Sequence, residues 1–170
     1  MRRYLRTLVG LFLALGCLVC LPPPLPGDAA DGAQTRAEEW LQTETSDFAA
    51  GTLSNLRVLE EGGGALALAS DPQGYASSGL YTSTVRPTDI LFNAVGVQWH
   101  AEVPQGTDLR VAVRVGADGT TWSPWEEVVE PQRDGPHFYA PMPMMVEASR
   151  YLQYRLEFST GQLTLTPRLD

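Results

Sequence analysis

The sequence predicts an all-β fold, an antiparallel two-sheet β-sandwich of the jelly-roll or galactose-binding-like type, preceded by a signal peptide. From Phe48 onward, short alternating apolar runs are separated by Gly, Pro, Asp and Asn, which is typical of strands joined by turns. Among 170 residues, 44% are hydrophobic and 19% charged, enough to build one packed core. We therefore expect a signal peptide at 1–29, a polar linker or short helix at 30–47, and the β-sandwich at 48–170.

The N-terminus has the pattern of an export signal. Arg2, Arg3 and Arg6 precede an uncharged apolar run from Leu8 to Leu21. This run is shorter than the ~20 residues that a transmembrane helix needs, and the small residues around Ala29 offer a cleavage site. The prediction is a secreted or cell-envelope protein, with an uncleaved signal anchor as the alternative.

Both cysteines, Cys17 and Cys20, lie inside this apolar run. The segment "ALGC", which ends at Cys17, is similar to a lipobox, in which the cysteine receives a lipid after cleavage. Lipidation of Cys17 would anchor the protein to a membrane and is a second alternative. Ordinary cleavage instead leaves a mature protein without a thiol for a disulfide, a nucleophile or a metal site.

The net charge excludes some classes of partner. Cleavage after Ala29 leaves nine arginines against 19 acidic residues, a charge of −10, and the chain has no lysine. Because phosphate binding needs clustered positive charge, we expect no nucleic-acid partner. Membrane contact is expected only through the signal or a lipid anchor.

The segment between the signal and the domain is polar, with Trp40 as its one aromatic residue. Ala37, Trp40 and Leu41 have helical spacing, so a short helix is possible. The favoured interpretation is a tether whose tryptophan docks on the domain.

The strands follow one another along the rest of the chain. Alternation predicts an inward face of Val95, Val97, Trp99 and Ala101 on one strand. The next strand has four inward aliphatic side chains from Leu109 on. The predicted strands lie at 52–60, 65–70, 79–85, 92–103, 108–115, 125–130, 138–148, 150–159 and 162–169, the run 138–148 being an irregular edge because of its prolines.

Asp118-Gly119 is a strong hairpin signal because a tight turn needs positive φ. Trp122 and Trp125 follow it three residues apart, so on a straight strand they face opposite sides. We expect Trp122 to pack in the core and Trp125 to be the more exposed, as a platform for the apolar face of a sugar. Core packing of Trp125 stays open.

Arg110 and Arg114 share the outer face of their predicted strand. Together they could bind a carboxylate or a uronic acid. The favoured alternative is that they pair with Glu102 and Glu157 on neighbouring strands.

Several motifs occur in the order found in a family of secreted bacterial β-sandwich modules. They are "SSGLYTSTV" (77–85), "FNAVGVQWHAEVPQGTDLRVAVRVGADGTTWSPWEEV" (92–128) and "RYLQYRLEFSTGQLTLTPRL" (150–169). The chain resembles the N-terminal module that precedes peptidoglycan-recognition-type N-acetylmuramoyl-L-alanine amidase domains. The resemblance implies that the chemistry of such amidases is done in a separate domain. There a zinc-bound water, held by two histidines and a third ligand, carries it out.

No catalytic set stands out in this sequence. His100 and His137 are its two histidines, and we expect neither a metal site nor a cofactor, because a zinc site needs three or four converging ligands. There is no Gly-x-Ser-x-Gly elbow. Glu126 and Glu127 are adjacent on a strand and so face opposite sides, which does not suit acid–base work.

The leading hypothesis is a non-catalytic accessory module that binds cell-wall or other glycan, peptidoglycan included, or spaces a catalytic partner. Its candidate binding residues are Trp122, Trp125, Arg110 and Arg114. One alternative is the N-terminal portion of a longer zinc-dependent amidase. Another is a surface lipoprotein with a structural or protein-interaction role.

Overall fold

The computed structural model describes residues 10–14, 36–60 and 63–170. Within them the chain forms one short helix and a series of strands that pair antiparallel throughout. The elements are β1 (Gly10–Ala14), β2 (Ala37–Leu41), α1 (Thr45–Ala49), β3 (Thr52–Ser54), β4 (Leu56–Leu59), β5 (Ala65–Leu68), β6 (Ser70–Asp71), β7 (Gly74–Tyr75), β8 (Ser78–Thr82), β9 (Arg86–Glu102), β10 (Thr107–Gly116), β11 (Glu126–Glu127), β12 (Gln132–Asp134), β13 (His137–Tyr139), β14 (Met144–Thr160) and β15 (Arg168–Leu169).

Two 17-residue strands, β9 and β14, form the centre of the sheet. The main order is β11-β10-β14-β9-β15-β5-β4, and β8 pairs with the far end of β14 and carries β3 on its other side. The sheets thereby form a nearly closed barrel or sandwich. The all-β antiparallel prediction is confirmed.

Alternation along β10 determines which side chains enter the core. Leu109, Val111, Val113 and Val115 are buried; of the residues between them, Arg110 is exposed, Arg114 is half-buried and the small Ala112 is also buried. β14 lies antiparallel to β10 over ten residue pairs, and Leu152, Leu156 and Phe158 complete the same apolar surface. On β9 the inward face is Val95, Val97, Trp99 and Ala101, as expected from the sequence.

Helix α1 closes one part of the barrel with a single side chain. It begins with a capping box, in which the Asp47 carboxylate accepts the Glu44 N–H at 3.0 Å. Phe48 points inward, is fully buried and lies edge-on to Tyr81, with ring centroids 6.0 Å apart. The helix is therefore held by burial of one ring as well as by its cap.

Residues 37–41 lie within the segment expected to be a linker or a short helix, and they form strand β2. Trp40 docks on the domain, with its ring 5.4 Å from that of Tyr154 in an edge-on contact. The Tyr154 hydroxyl donates to Gln42 Oε1 at 2.6 Å, and burial raises the pKa of this tyrosine well above its ordinary value. Tyr154 therefore stays a protonated donor at physiological pH.

Strand β1 belongs to the predicted export signal. It pairs with β2 over five residues and with β9 at Gly96 and Val97. Cys17 and the expected cleavage site near Ala29 lie outside the described residues. No helix among the residues that the structure describes is both long and apolar enough to cross a membrane.

Candidate functional site

The outer face of the β10–β14 pair carries a ladder of alternating indole and guanidinium groups. The Arg114 Cζ lies 4.7 Å from the centroid of the Trp122 ring and 4.5 Å from that of Trp125. Arg155 adds a further guanidinium 5.0 Å from the Trp125 ring. These distances are in the range of cation–π contacts. We call these four residues the Trp–Arg ladder.

Strand register explains why the two arginines meet. Arg114 stands opposite Gln153, and Arg155 stands opposite Ala112, two residues away along each strand. The Arg114 Nε donates to Gln153 Oε1 at 2.8 Å, and the Gln153 amide donates to the Ser83 carbonyl at 2.7 Å. Burial and the nearby charge of Arg155 lower the pKa of Arg114. The guanidinium is thus fixed by a buried amide and by two aromatic rings.

The hairpin loop after β10 delivers the tryptophans to this face. The Asp118 carboxylate accepts the N–H groups of Thr121 at 2.7 Å and Thr120 at 2.8 Å, and Gly119 adopts a φ of 74°. Ser123 then returns to β10, where its Oγ accepts the Val115 N–H at 3.1 Å. The loop is therefore a fixed structural element on which Trp122 and Trp125 sit.

These hydrogen bonds make a prediction for pH. The N–H groups of Thr121 and Thr120 lower the pKa of Asp118 from its ordinary 3.8 to about 2. Because the folded-state pKa is depressed, the stabilisation is present above pH 3.8 and is lost as the pH falls through about 2. NMR should show the Thr120 and Thr121 amide shifts changing with a midpoint near pH 2 in the native protein, and no such step in Asp118→Asn. A midpoint at the ordinary value would contradict the geometry.

The structure decides how the two tryptophans face. Both are half-buried, and neither belongs to the buried hydrophobic core. The expectation that Trp122 packs in the core is wrong, because residues 117–125 form a loop that folds back over the outer face instead of a straight strand. A sugar could stack on the ring faces in contact with Arg114 only by displacing that guanidinium.

Arg110 and Arg114 lie on one face, but the structure does not combine them into one site. The Arg110 Nε donates to Asp108 at 2.9 Å and lies 4.0 Å from Glu127, and these carboxylates raise its pKa. Arg110 does stand opposite Glu157, as the pairing hypothesis required, although its ion pairs are with the other two acids. Arg114 stands opposite an amide and not opposite an acid.

A groove lies beside the Trp–Arg ladder. It has a volume of about 640 Å³ and runs between the loop after β10 and the first part of β14. Trp122 and Trp125 form one wall, and Met145 and Val146 form the other. Met145 is 66% exposed although it is apolar. Sequence reasoning missed this groove because the β14 wall belongs to a run that its prolines marked only as an irregular edge.

The two histidines meet across a strand pair. His137 on β13 stands opposite His100 on β9, and its Nε2 is 3.3 Å from Gln98 Oε1. The His100 Nδ1 lies 3.7 Å from a carboxylate oxygen of Asp170. Within the described residues no group of three or more His, Cys, Asp or Glu side chains could hold a metal ion. The two histidines are therefore cross-strand neighbours, a relation that the sequence could not reveal.

A comparison with known protein families gives a matching family model for this chain. The model of a peptidase C39 N-terminal domain matches residues 36–132, which is more than half of the chain. The chain belongs to this family. No curated protein and no solved structure matches it significantly.

In this peptidase C39 N-terminal domain, the matched range begins one residue before β2 and ends at the start of β12. It includes Trp122, Trp125, Arg110 and Arg114, whereas the β14 wall of the groove follows it. The family name supports the coarser part of the resemblance, an N-terminal accessory module, and it names a peptidase where the resemblance suggested an amidase.

Proposed function

We propose that this chain is an exported, non-catalytic module that docks on the catalytic domain of a C39-type peptidase and positions it. The observation that carries the proposal is the family match, which names an N-terminal domain associated with that peptidase class. Export is supported by the Arg-rich start and the apolar run Leu8 to Leu21. Its site of action would then be outside the cytoplasm.

The chemistry of the described residues supports a role without hydrolysis. A nucleophilic hydrolase needs a thiol or hydroxyl within hydrogen-bond reach of a base. The part of the chain from residue 36 onward contains no cysteine. The side-chain partners of its histidines are an amide, Gln98, and a carboxylate, Asp170. The reaction would therefore belong to the partner domain.

The groove beside the Trp–Arg ladder is the surface that we assign to docking. Its walls combine two indole edges with Met145 and Val146, and aromatic and methionine side chains are enriched where proteins associate. Glu126 and Glu147 line the same groove. A partner surface with apolar side chains flanked by arginine or lysine would complement it.

A glycan is the less supported ligand. Its candidate platform, Trp125, has two guanidinium groups over its ring. An amidase as catalytic partner is less supported for a separate reason, because the matching family is named for a peptidase.

Docking predicts a measurable, site-specific affinity. Isothermal titration of the purified protein with a purified C39 peptidase catalytic domain from the same source should give a Kd in the micromolar range, roughly −8 kcal/mol. Met145→Glu should weaken binding at least tenfold, about 1.4 kcal/mol, because it places a charge in the apolar groove. Met142→Glu is the matched control, since Met142 is 75% exposed and does not line the groove.

Three results would overturn parts of this proposal. Peptide hydrolysis by the purified chain alone would end the non-catalytic role. Equal loss of affinity in both methionine variants would remove the groove as the docking surface. Sedimentation with insoluble peptidoglycan that fails in Trp125→Ala, without binding to the peptidase domain, would favour the glycan hypothesis.

A further inference from the structure

The place that β1 occupies is one strand wide and has a wall on each side. On one side β2 pairs with all five residues of β1, and on the other β9 pairs through Gly96 and Val97. β1 is the only strand that pairs with β2 among the described residues. We call this place the strand slot.

The strand in the slot lies within the apolar run that the sequence predicts to be a removable export signal. Its removal would leave backbone N–H and C=O groups of β2 and of Gly96 without these partners, whereas the Val97 carbonyl keeps the Ala140 N–H as its partner at 2.8 Å. Open strand edges of this kind pair readily with another extended chain. The exported form therefore has an acceptor for one strand.

The walls of the slot have contacts with each other and with the rest of the domain besides those with β1. Glu38 on β2 accepts the Asp89 N–H at 3.0 Å and pairs with Arg86 at 3.3 Å. Trp40 on the same strand packs edge-on against Tyr154. These contacts tie β2 to β9 and β14 on the far side of the slot. These contacts would keep the slot open after β1 is removed, which would lower the entropic cost of filling it.

The surroundings also specify the chemistry of the occupant. Register places the position of Leu11 opposite both Trp40 and Val97. Trp40 and Val97 also line a small cavity of about 40 Å³, together with further apolar side chains that include Val111 and Leu156. An apolar residue is favoured at this position of any occupying strand. Glu39 and Glu38 on β2 stand opposite the positions of Phe12 and Leu13, where they disfavour an acidic residue.

We propose that the strand slot of the exported protein binds an extended, apolar segment of about five residues from another polypeptide, by adding it as a strand antiparallel to β2 and β9. The occupant seen in the structure, Gly10–Ala14, shows the length and direction that the slot accepts. Main-chain hydrogen bonds to both walls would supply affinity, and the apolar position opposite Trp40 and Val97 would supply selectivity. This inference rests on removal of the export signal, which belongs to the proposed function, and does not depend on docking of a peptidase at the groove.

The test uses residues 30–170 with the intact chain as the control. Among the residues whose burial the structure describes, every residue of the buried core lies between Phe48 and Leu169, within the range 30–170. The probe is a fluorescent peptide with the sequence of residues 9–15 and an added Arg-Arg tail for solubility. Fluorescence anisotropy should give a Kd of roughly 10–100 μM for 30–170, and at least tenfold weaker binding to the intact chain, whose slot is filled.

Peptide variants distinguish strand addition from non-specific binding without disturbing the fold of the protein. N-methylation of alternate peptide amides on one ladder edge should weaken binding at least tenfold, because it removes donors and keeps the side chains. Replacement of the leucine equivalent to Leu11 by Asp should weaken it similarly. Hydrogen exchange should show new protection at β2 and at Gly96 on binding.

Each contrary result has a distinct meaning. A folded monomer that does not bind the peptide, with β2 already protected from exchange, would overturn the proposal because the slot would have closed on itself. A stable dimer that excludes the peptide would assign the slot to a second copy of this chain and overturn the partner segment. A 30–170 protein without a packed core would show that β1 is a fixed part of the fold, which also overturns it.

Discussion

Phe48→Ala is expected to destabilise the protein by about 3–5 kcal/mol, the usual cost of removing a fully buried phenyl ring. Phe48 is 0% exposed and is the buried residue of α1, so the mutation would leave a cavity beside Tyr81 and would release the helix. Since small domains have a total stability of about 5–15 kcal/mol, this one change would remove a large fraction of it. Urea unfolding followed by circular dichroism measures the difference.

The control for this prediction lies on the same helix. Ser46 is exposed, so Ser46→Ala should change the free energy of unfolding by no more than about 0.5 kcal/mol. Phe48→Leu should fall between the two because it retains part of the apolar volume. A loss below about 1 kcal/mol for Phe48→Ala would mean that α1 does not close the core, contrary to its position against β4 and β5.

The sequence predicted the fold best where a strand alternates without interruption. The four inward residues of β10 are all buried, since period-2 alternation is a direct consequence of strand geometry. It predicted strand ends less well. The run 162–169 contains only the two-residue strand β15, and β9 begins already at Arg86, before the predicted start. Pro87 lies in that strand, in the stretch between the predicted strands 79–85 and 92–103.

The Trp–Arg ladder shows why the site was harder to predict than the fold. The sequence analysis named Trp122, Trp125 and Arg114 as candidate binding residues, but not Arg155. The ladder exists because register brings β14 beside β10, about 40 residues later in the chain. It also needs the loop to return closely over β10, where a Cβ at Gly116 would overlap the Thr121 carbonyl. The pairing of β10 with β14 is a long-range contact and leaves no local signal in the sequence.

Arg114→Met should destabilise the protein by about 2 kcal/mol, although it removes a side chain on the outer face. Two cation–π contacts with Trp122 and Trp125 would be lost, at roughly 0.5–1 kcal/mol each. The Oε1 of Gln153, which is 8% exposed, would lose its guanidinium donor, at a further cost of about 1 kcal/mol. Urea unfolding measures the loss, and near-ultraviolet circular dichroism reports the release of the indole rings.

Arg110→Met is the matched control, because Arg110 lies on the same strand and the same face but pairs only with exposed carboxylates. Its side chain is 58% exposed, so this variant should stay within about 0.5 kcal/mol of the wild type. The comparison separates a structural arginine from a free one. If Arg114→Met were as stable as Arg110→Met, Arg114 would be available for a ligand such as a carboxylate or uronic acid. If Arg114→Met is less stable than Arg110→Met, Arg114 holds the tryptophan loop in place. The contacts of Arg114 with Trp122 and Trp125 then also maintain the shape of the groove beside it.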